Sequence, residues 1–186
     1  MITLDALTAK DMEQVRIWRA GVPETLRTPY MLTAEMQRDY YERVICNRDS
    51  RTRYWALREH VKERRSELAN GNTLVTGGNV FIGYGGIENI EWENGCGEIS
   101  LLIRPELRGK GYGKQAVALI LQQAFDNMRL VTVHGECYKC GPWGFWQKMI
   151  AARGEKSAEL PCRKYHDGIW WHSFYFTFDR GNGWQV

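Results

Sequence analysis

The residues from Glu98 to Lys114 read Glu-Ile-Ser-Leu-Leu-Ile-Arg-Pro-Glu-Leu-Arg-Gly-Lys-Gly-Tyr-Gly-Lys. A β-prone run enters a turn with glycines at three alternate positions, 109, 111 and 113, and a helix-forming segment follows. Glycine lets the backbone approach a ligand closely and turn successive N–H groups the same way. Those donors would join the unpaired N–H groups and the positive dipole end of the helix behind them, and Arg108, Lys110 and Lys114 add charge. The chemistry this spacing serves is the holding of an anion the size of a diphosphate. A nucleoside-triphosphate loop does not fit, because Arg108 and Gln115 stand where it needs Gly and Ser or Thr. Gly111-x-Gly113-x-x-Ala116 matches a dinucleotide fingerprint in letters only: Pro105-Glu-Leu-Arg108 intervenes after the strand, the loop lies past mid-chain, and too few βα units follow. A glycine turn without a ligand is the plain alternative, and it leaves the three cations unexplained.

Arg108-x-x-Gly111-x-Gly113, preceded by a run ending in Ile103-x-Pro105, resembles the acyl-CoA loop of the GNAT N-acetyltransferases. Phe81-Ile-Gly-Tyr-Gly-Gly-Ile87, Gly97-Glu-Ile-Ser100, Ile17-Trp-Arg19 and Lys164-Tyr-His-Asp-Gly168 extend the likeness over most of the chain, towards the RimJ/RimL branch of ribosomal-protein and amino-sugar acetyltransferases. The resemblance implies the acyl-CoA N-acyltransferase fold, of α/β (α+β) class. That fold is a mixed, mostly antiparallel sheet with a splay between strands four and five and helices on both faces. It implies acetyl-CoA as donor and an amine as acceptor: a protein N-terminus, an amino sugar or a small molecule. By the same resemblance, Leu102 and Ile103 would bond the pantetheine arm through their backbone. Arg108, Gly109, Lys110, Gly111, Tyr112, Gly113 and Lys114 would hold the pyrophosphate, and the thioester would lie where strands four and five part.

Transfer to an amine needs a neutral amine, a polarised carbonyl and a proton for the departing thiolate. A lysine-like amine has a pKa of about 10.4, so a base or a water relay has to take its proton. A backbone N–H can polarise the carbonyl, and since the donor carries the activated acyl group, no metal is expected. Glu98, alternating with Ser100 and Leu102 and matching a glutamate of the branch, is the first candidate base; pairing with a nearby arginine is its other reading. Glu88 on the neighbouring strand is the second candidate and Glu136 the third. For the proton donor, the resemblance places an Asn after strand five and a Tyr one or two turns into the next helix. Two registers put these at Lys139 or Gly141 and at Trp146 or Lys148, none of them the expected residue. Tyr138, Cys140 and water are the substitutes. This departure keeps an alternative function in play, an acyl-CoA-binding protein of weakened turnover.

Several elements must position these groups. Ile2-Thr-Leu4 alternates as a short strand. Thr8 can cap a helix beginning near Lys10 and Thr33 a second one over Ala34–Ile45. Tyr54–Leu57, Val80–Ile87, Cys96–Ile103 and Leu130–Glu136 read as strands, Gly113–Met128 and Pro142–Ala152 as helices, and Trp92–Gly95 as a hairpin turn. Two β-prone runs flank His166-Asp-Gly168, and alternation in the second puts one of Trp170 and Trp171 in the core. Residues 58–79 read as a polar excursion between strands two and three, a solvated turn and loop. Its basic stretch is the basis of a third, less favoured function, a nucleic-acid-associated factor, which predicts retention on DNA or RNA that falls with salt. The order is βααβ, long loop, ββαβα, hairpin: a mixed α/β sheet with helices on both faces.

The 186 residues suit a single domain, 1–186. With 44% hydrophobic, 12% aromatic and 25% charged residues, the composition is globular and excludes collagen-like or coiled-coil chains. The balance of 25 basic and 22 acidic residues, net +3, does not by itself mark a nucleic-acid binder. The apolar run Ala116–Leu121 is far short of a membrane span, and no signal peptide is visible. Five cysteines, an odd number, read as reduced thiols in a cytoplasmic protein. Cys137-x-x-Cys140 lacks a matched second pair, so zinc and redox roles rank below plain thiols. The aromatic last strand could pair across a homodimer.

Overall fold

Thr8 opens the first helix with a reciprocal cap. Its hydroxyl accepts from the Asp11 N–H and the Asp11 carboxylate accepts from the Thr8 N–H at 3.0 Å, satisfying two amides that a helix start leaves unpaired. The computed structural model describes residues 2–27, 29–67, 73–153 and 157–181. Among the described residues seven strands and four helices follow one another: β1 (Ile2–Asp5), α1 (Ala9–Ala20), α2 (Ala34–Tyr40), β2 (Arg53–Glu67), β3 (Thr73–Glu91), β4 (Cys96–Ile103), α3 (Tyr112–Gln122), β5 (Thr132–Tyr138), α4 (Trp143–Arg153), β6 (Ser157–His166) and β7 (Ile169–Asp179). Helices α2 and α3 each widen into a π turn, at Tyr41–Ile45 and Gln123–Asn127.

The strands form one sheet in the order β1-β2-β3-β4-β5-β7-β6. Every neighbouring pair is antiparallel except β4 and β5. Strand alternation sends adjacent side chains to opposite faces. Ala56, Tyr84 and Leu102 pack under Met12, Val15 and Trp18 of α1, while Leu57, Ile82 and Ile103 pack with Ala116 of α3. The second face continues through Ile87, Ile99, Val133, Phe176 and Phe178 against Val117, Ile120, Trp146 and Ile150 of α3 and α4. Helices therefore cover both faces, as the element order predicts.

Three readings change. Residues 58–67 and 73–79 are strand, because β2 and β3 pair on past Arg58↔Phe81 through a register shift at Val61/Arg64 as far as Glu67↔Thr73. The alternation that betrays a strand depends on one buried face, and His60, Val61 and Lys62 are exposed. The tip, 68–72, lies outside the described residues, as do the side chains of 63–76, which include Arg64 and Arg65 of the basic stretch read for nucleic acid. Neither tryptophan of the Trp170–Trp171 pair is core: Trp170 is exposed beside Tyr165, and Trp171 is half-buried with its indole N–H on the His166 carbonyl. The core residues of β7 are Phe176 and Phe178. Finally, β7 is paired with β5 on one side and β6 on the other, so it has no free edge to offer a second copy.

Candidate active site

Pairing between β4 and β5 is confined to Cys96↔Thr132, Gly97↔Val133 and Glu98↔His134. Beyond that point Ile99–Ile103 keep only β3 as a partner and Gly135–Tyr138 keep only β7. The two parallel strands part, and their facing edges line a gap. At the far end of β4 a short turn, Pro105–Leu107, leads into the glycine loop. Gly109 and Gly111 hold φ values of +75° and +84°, in the left-handed region that glycine alone adopts without strain, and a Cβ at either would meet nothing within 4 Å. The loop backbone is thus bent and open on its outer side. Gly111 is the N-cap of α3 and no side chain caps that helix, so its first N–H groups face outward at the positive dipole end. Arg108, Lys110 and Lys114 are exposed around it.

Two loop side chains turn inward. The Arg108 Nε donates to the Ile103 carbonyl at 3.3 Å, and the Tyr112 hydroxyl donates to the Glu59 carboxylate at 2.7 Å, which pins the start of α3 to β2. An open, uncapped, positively flanked turn beside an unpaired strand edge fits a pyrophosphate and an amide-bearing arm. The backbone of Leu102 and Ile103 and the loop Arg108–Lys114 are the residues that would hold them.

The α1-side face of the gap carries the carboxylates. Glu88 and Glu98 are cross-strand partners on β3 and β4, and Glu136 follows His134 on β5. Glu98 is buried and engaged by the Arg27 guanidinium through both oxygens: Nη1 donates to Oε2 at 2.9 Å and Nη2 to Oε1. Asn89 adds a bond to Oε2 at 3.0 Å. Glu136 accepts from Arg163 Nε at 3.1 Å and from the Ser173 hydroxyl at 2.5 Å, with Arg27 Nη2 at 3.6 Å. Burial pushes the Glu136 carboxyl up, but the Ser173 hydroxyl and the Arg163 and Arg27 guanidiniums outweigh it and hold it below the usual range. Among the described residues Glu88 has only the Tyr54 hydroxyl as a hydrogen-bond partner, donating at 2.7 Å. Burial, helped by the neighbouring Glu98 charge, raises its pKa.

Tyr138, at the end of β5, is buried, and its pKa is raised by that burial. The Lys164 ammonium sits 5.4 Å from its ring centroid. Of the positions where an Asn or Tyr was expected, Lys139 pairs with Glu159, Lys148 is exposed, and Trp146 is core between Phe176 and Phe178. Cys137 is buried, its thiol pushed up to about 12, and Cys140 is also raised by burial, so both are poor thiolates. Among the described residues no three His, Cys, Asp or Glu side chains gather as a metal site. Sequence reasoning missed Arg27, Arg163, Asn89 and Lys164 as site residues. Only Lys164 carried a signal, through its place in the Lys164–Gly168 segment.

A parted parallel pair inside a mostly antiparallel sheet, with an anion cradle at the next helix start, defines a class of acyl-CoA-dependent acyltransferases. A family model for the acetyltransferase (GNAT) domain matches residues 2–139, and the chain belongs to that family. It accordingly carries an acetyltransferase (GNAT) domain. The chain is 39% identical over 67 residues to an N-acetyltransferase 9-like protein of Caenorhabditis briggsae; the match takes in 36% of this chain and 33% of that protein, so it spans about a third of the curated relative. The fold is also that of the Vibrio cholerae spermidine N-acetyltransferase in complex with CoA and spermine, with a TM-score of 0.74, 17% identity and coverage of 96% of this chain and 95% of that one. A dodecameric form of the Vibrio cholerae enzyme superposes with a TM-score of 0.70 at 17% identity, covering 96% and 94%. Among the described residues no helix is long and apolar enough to cross a membrane.

Proposed function

We propose that residues 1–186 work as one domain that moves the acetyl group of acetyl-CoA to a primary amine entering from the α1 side of the gap. The observation that carries this reading is the end of β4–β5 pairing at Glu98↔His134, with an uncapped helix start beyond one wall and three carboxylates on one face. The donor supplies an activated thioester. The N–H groups of Gly109 to Lys114 hold its pyrophosphate, and the backbone of Leu102 and Ile103 orients its arm. Glu88 takes the amine proton, directly or through a water. Its raised pKa makes it a stronger base than an ordinary carboxylate, and it is less encumbered than Glu98, whose two oxygens are occupied by Arg27 and Asn89. Glu98 holds Arg27 across the gap. Tyr138, like any phenol, is protonated at neutral pH, burial keeps it so, and it serves as the proton source for the thiolate. The acceptor is a protein N-terminus, an amino sugar or another small amine, as in the RimJ/RimL branch, and five free thiols suit a cytoplasmic setting.

The test is thiol release from acetyl-CoA with an amine panel, followed over pH for Glu88→Gln and Glu98→Gln. The reading expects Glu88→Gln to abolish the acid limb of kcat/KM and Glu98→Gln to keep it; full turnover by Glu88→Gln across pH overturns it. The second reading, an acyl-CoA binder of weakened turnover, is favoured by the Trp146 core position, which removes the expected acid. It predicts CoA binding with no thiol release.

A further inference from the structure

Who faces the acceptor is decided by depth. The Glu98 and Glu136 side chains are 8% and 9% exposed, whereas those of Arg27 and Arg163, which cover them, are 47% and 53% exposed. An incoming molecule therefore meets guanidinium before it meets carboxylate. Both arginines converge on Glu136, Arg163 Nε on Oε1 and Arg27 Nη2 towards Oε2. A third cation stands beside them: Lys164 is buried, donates to the Pro23 carbonyl at 3.1 Å and to the Leu26 carbonyl, and lies over the Tyr138 ring. Among the described residues it has no carboxylate partner. The fourth is Arg19, at Tyr84, whose buried Nε has no hydrogen-bond partner among the described residues. Facing these four cations at the gap are Glu88, Glu98 and Glu136, with Glu91 further out on the same face opposite Cys96; Glu88 takes the amine proton.

We infer that the acceptor is an amine carrying an anionic group close to it, read by Arg27 and Arg163, and not a polyamine. This rests on the acetyl-transfer reading above. A guanidinium offers five N–H donors in a fork that suits a carboxylate or a phosphate, and Arg163 spends only its Nε on Glu136. A polycation would have to displace Arg27 from a buried carboxylate and would still face Arg163 and Lys164. An amine with an adjacent carboxylate or phosphate adds a counter-charge to the outer face of both guanidiniums while its nitrogen stays near Glu88.

The experiment uses the full chain, acetyl-CoA and matched acceptor pairs. Glucosamine against glucosamine 6-phosphate reads a phosphate. The peptides Ala-Asp-Gly and Ala-Lys-Gly, amidated at the C-terminus, read a carboxylate. Spermidine is the polycation, and CoA binding is followed by calorimetry alongside. The expected result is a kcat/KM at least about tenfold higher for the anionic member of one pair than for its counterpart or spermidine. Which pair responds identifies the source of the charge. Arg163→Gln brings that ratio towards one with the CoA heat unchanged, and Arg163→Lys restores most of it. Spermidine or the lysine peptide working as well as the anionic acceptors, with CoA heat intact, overturns the inference and leaves acetyl transfer standing. Silence of every amine in a protein that binds CoA also overturns it. Silence together with no CoA heat overturns both readings.

Discussion

The two walls of the gap are built on opposite principles. The wall proposed for the donor is backbone: N–H groups of a left-handed glycine turn, an uncapped helix start and the unpaired edge of β4, with Lys110 and Lys114 exposed around them. The acceptor wall is side chain: carboxylates from β3, β4 and β5, each engaged by a group from somewhere else. A shared donor can be met by a generic backbone shape, because diphosphate and pantetheine are the same in every reaction. An acceptor has to be chosen, and choice is made by side chains whose pairing can differ from one protein to the next. The difference also separates mobility of use from rigidity. The glycine loop has nothing packed on its outer face, whereas Arg27 is fixed by Glu98, and its segment is held by Lys164 and by the Cys140 thiol on the Glu24 carbonyl at 3.4 Å.

The largest effect expected is on chemistry. Glu88→Gln should lower kcat by about 10²–10⁴-fold, the usual worth of a general base, and leave CoA binding intact, measured by thiol release and calorimetry. The same variant sharpens the comparison through stability. Burial raises the Glu88 pKa in the folded protein, so the native state holds its proton more tightly than the unfolded chain does. Its ionisation therefore opposes folding as pH rises from the unfolded carboxylate value through the raised one. The melting temperature of Glu88→Gln relative to the parent should climb over that window and stay level above it; a flat difference breaks the argument.

Next comes Arg27→Gln. It strips a buried carboxylate of its main partner, leaving Asn89, and should cost about 2 kcal/mol, less than a fully buried pair because Arg27 is half exposed. Thermal or urea unfolding reads it; no loss would mean that the acceptor wall is not held by this clamp. The smallest effect is expected from Tyr112→Phe. It removes only the bond to Glu59 and should weaken CoA by about fivefold or less, in keeping with a net hydrogen bond of about 1 kcal/mol or below. A loss near that of a glycine substitution would make the donor wall depend on side chains after all.

This division explains what could be read from the residues. Glycines at 109, 111 and 113 before a helix leave few backbone alternatives, so the cradle and the strand before it are legible, and the structure has the loop where the spacing places it. Helix starts at Thr8 and Thr33 are legible for the same local reason. The acceptor wall is not, since Arg27, Arg163 and Lys164 reach Glu98, Glu136 and the residue 23–26 carbonyls across large sequence distances, and Asn89 meets Glu98 only once the β3–β4 hairpin forms. Nothing in the neighbours of Arg27, Asn89 and Arg163 marks them, and Lys164 is marked only by the Lys164–Gly168 segment. Glu98 was legible as a residue of the gap, with its arginine pairing one of two readings, and only the fold names Arg27 as that arginine. The strands at 58–67 and 73–79 were hidden because, past His60, the exposed ribbon lacks the one-sided burial that makes alternation visible.

The account stands or falls with the backbone cradle, and titration of the purified chain with CoA by calorimetry tests it most directly. Gly111 has φ +84°, where a β-branched residue is strained by about 1–2 kcal/mol. The account predicts one-site binding heat for the parent and affinity weakened by about tenfold or more in Gly111→Val, since about 1.4 kcal/mol is a factor of ten. No heat with the parent, or the same affinity in both proteins, would contradict it.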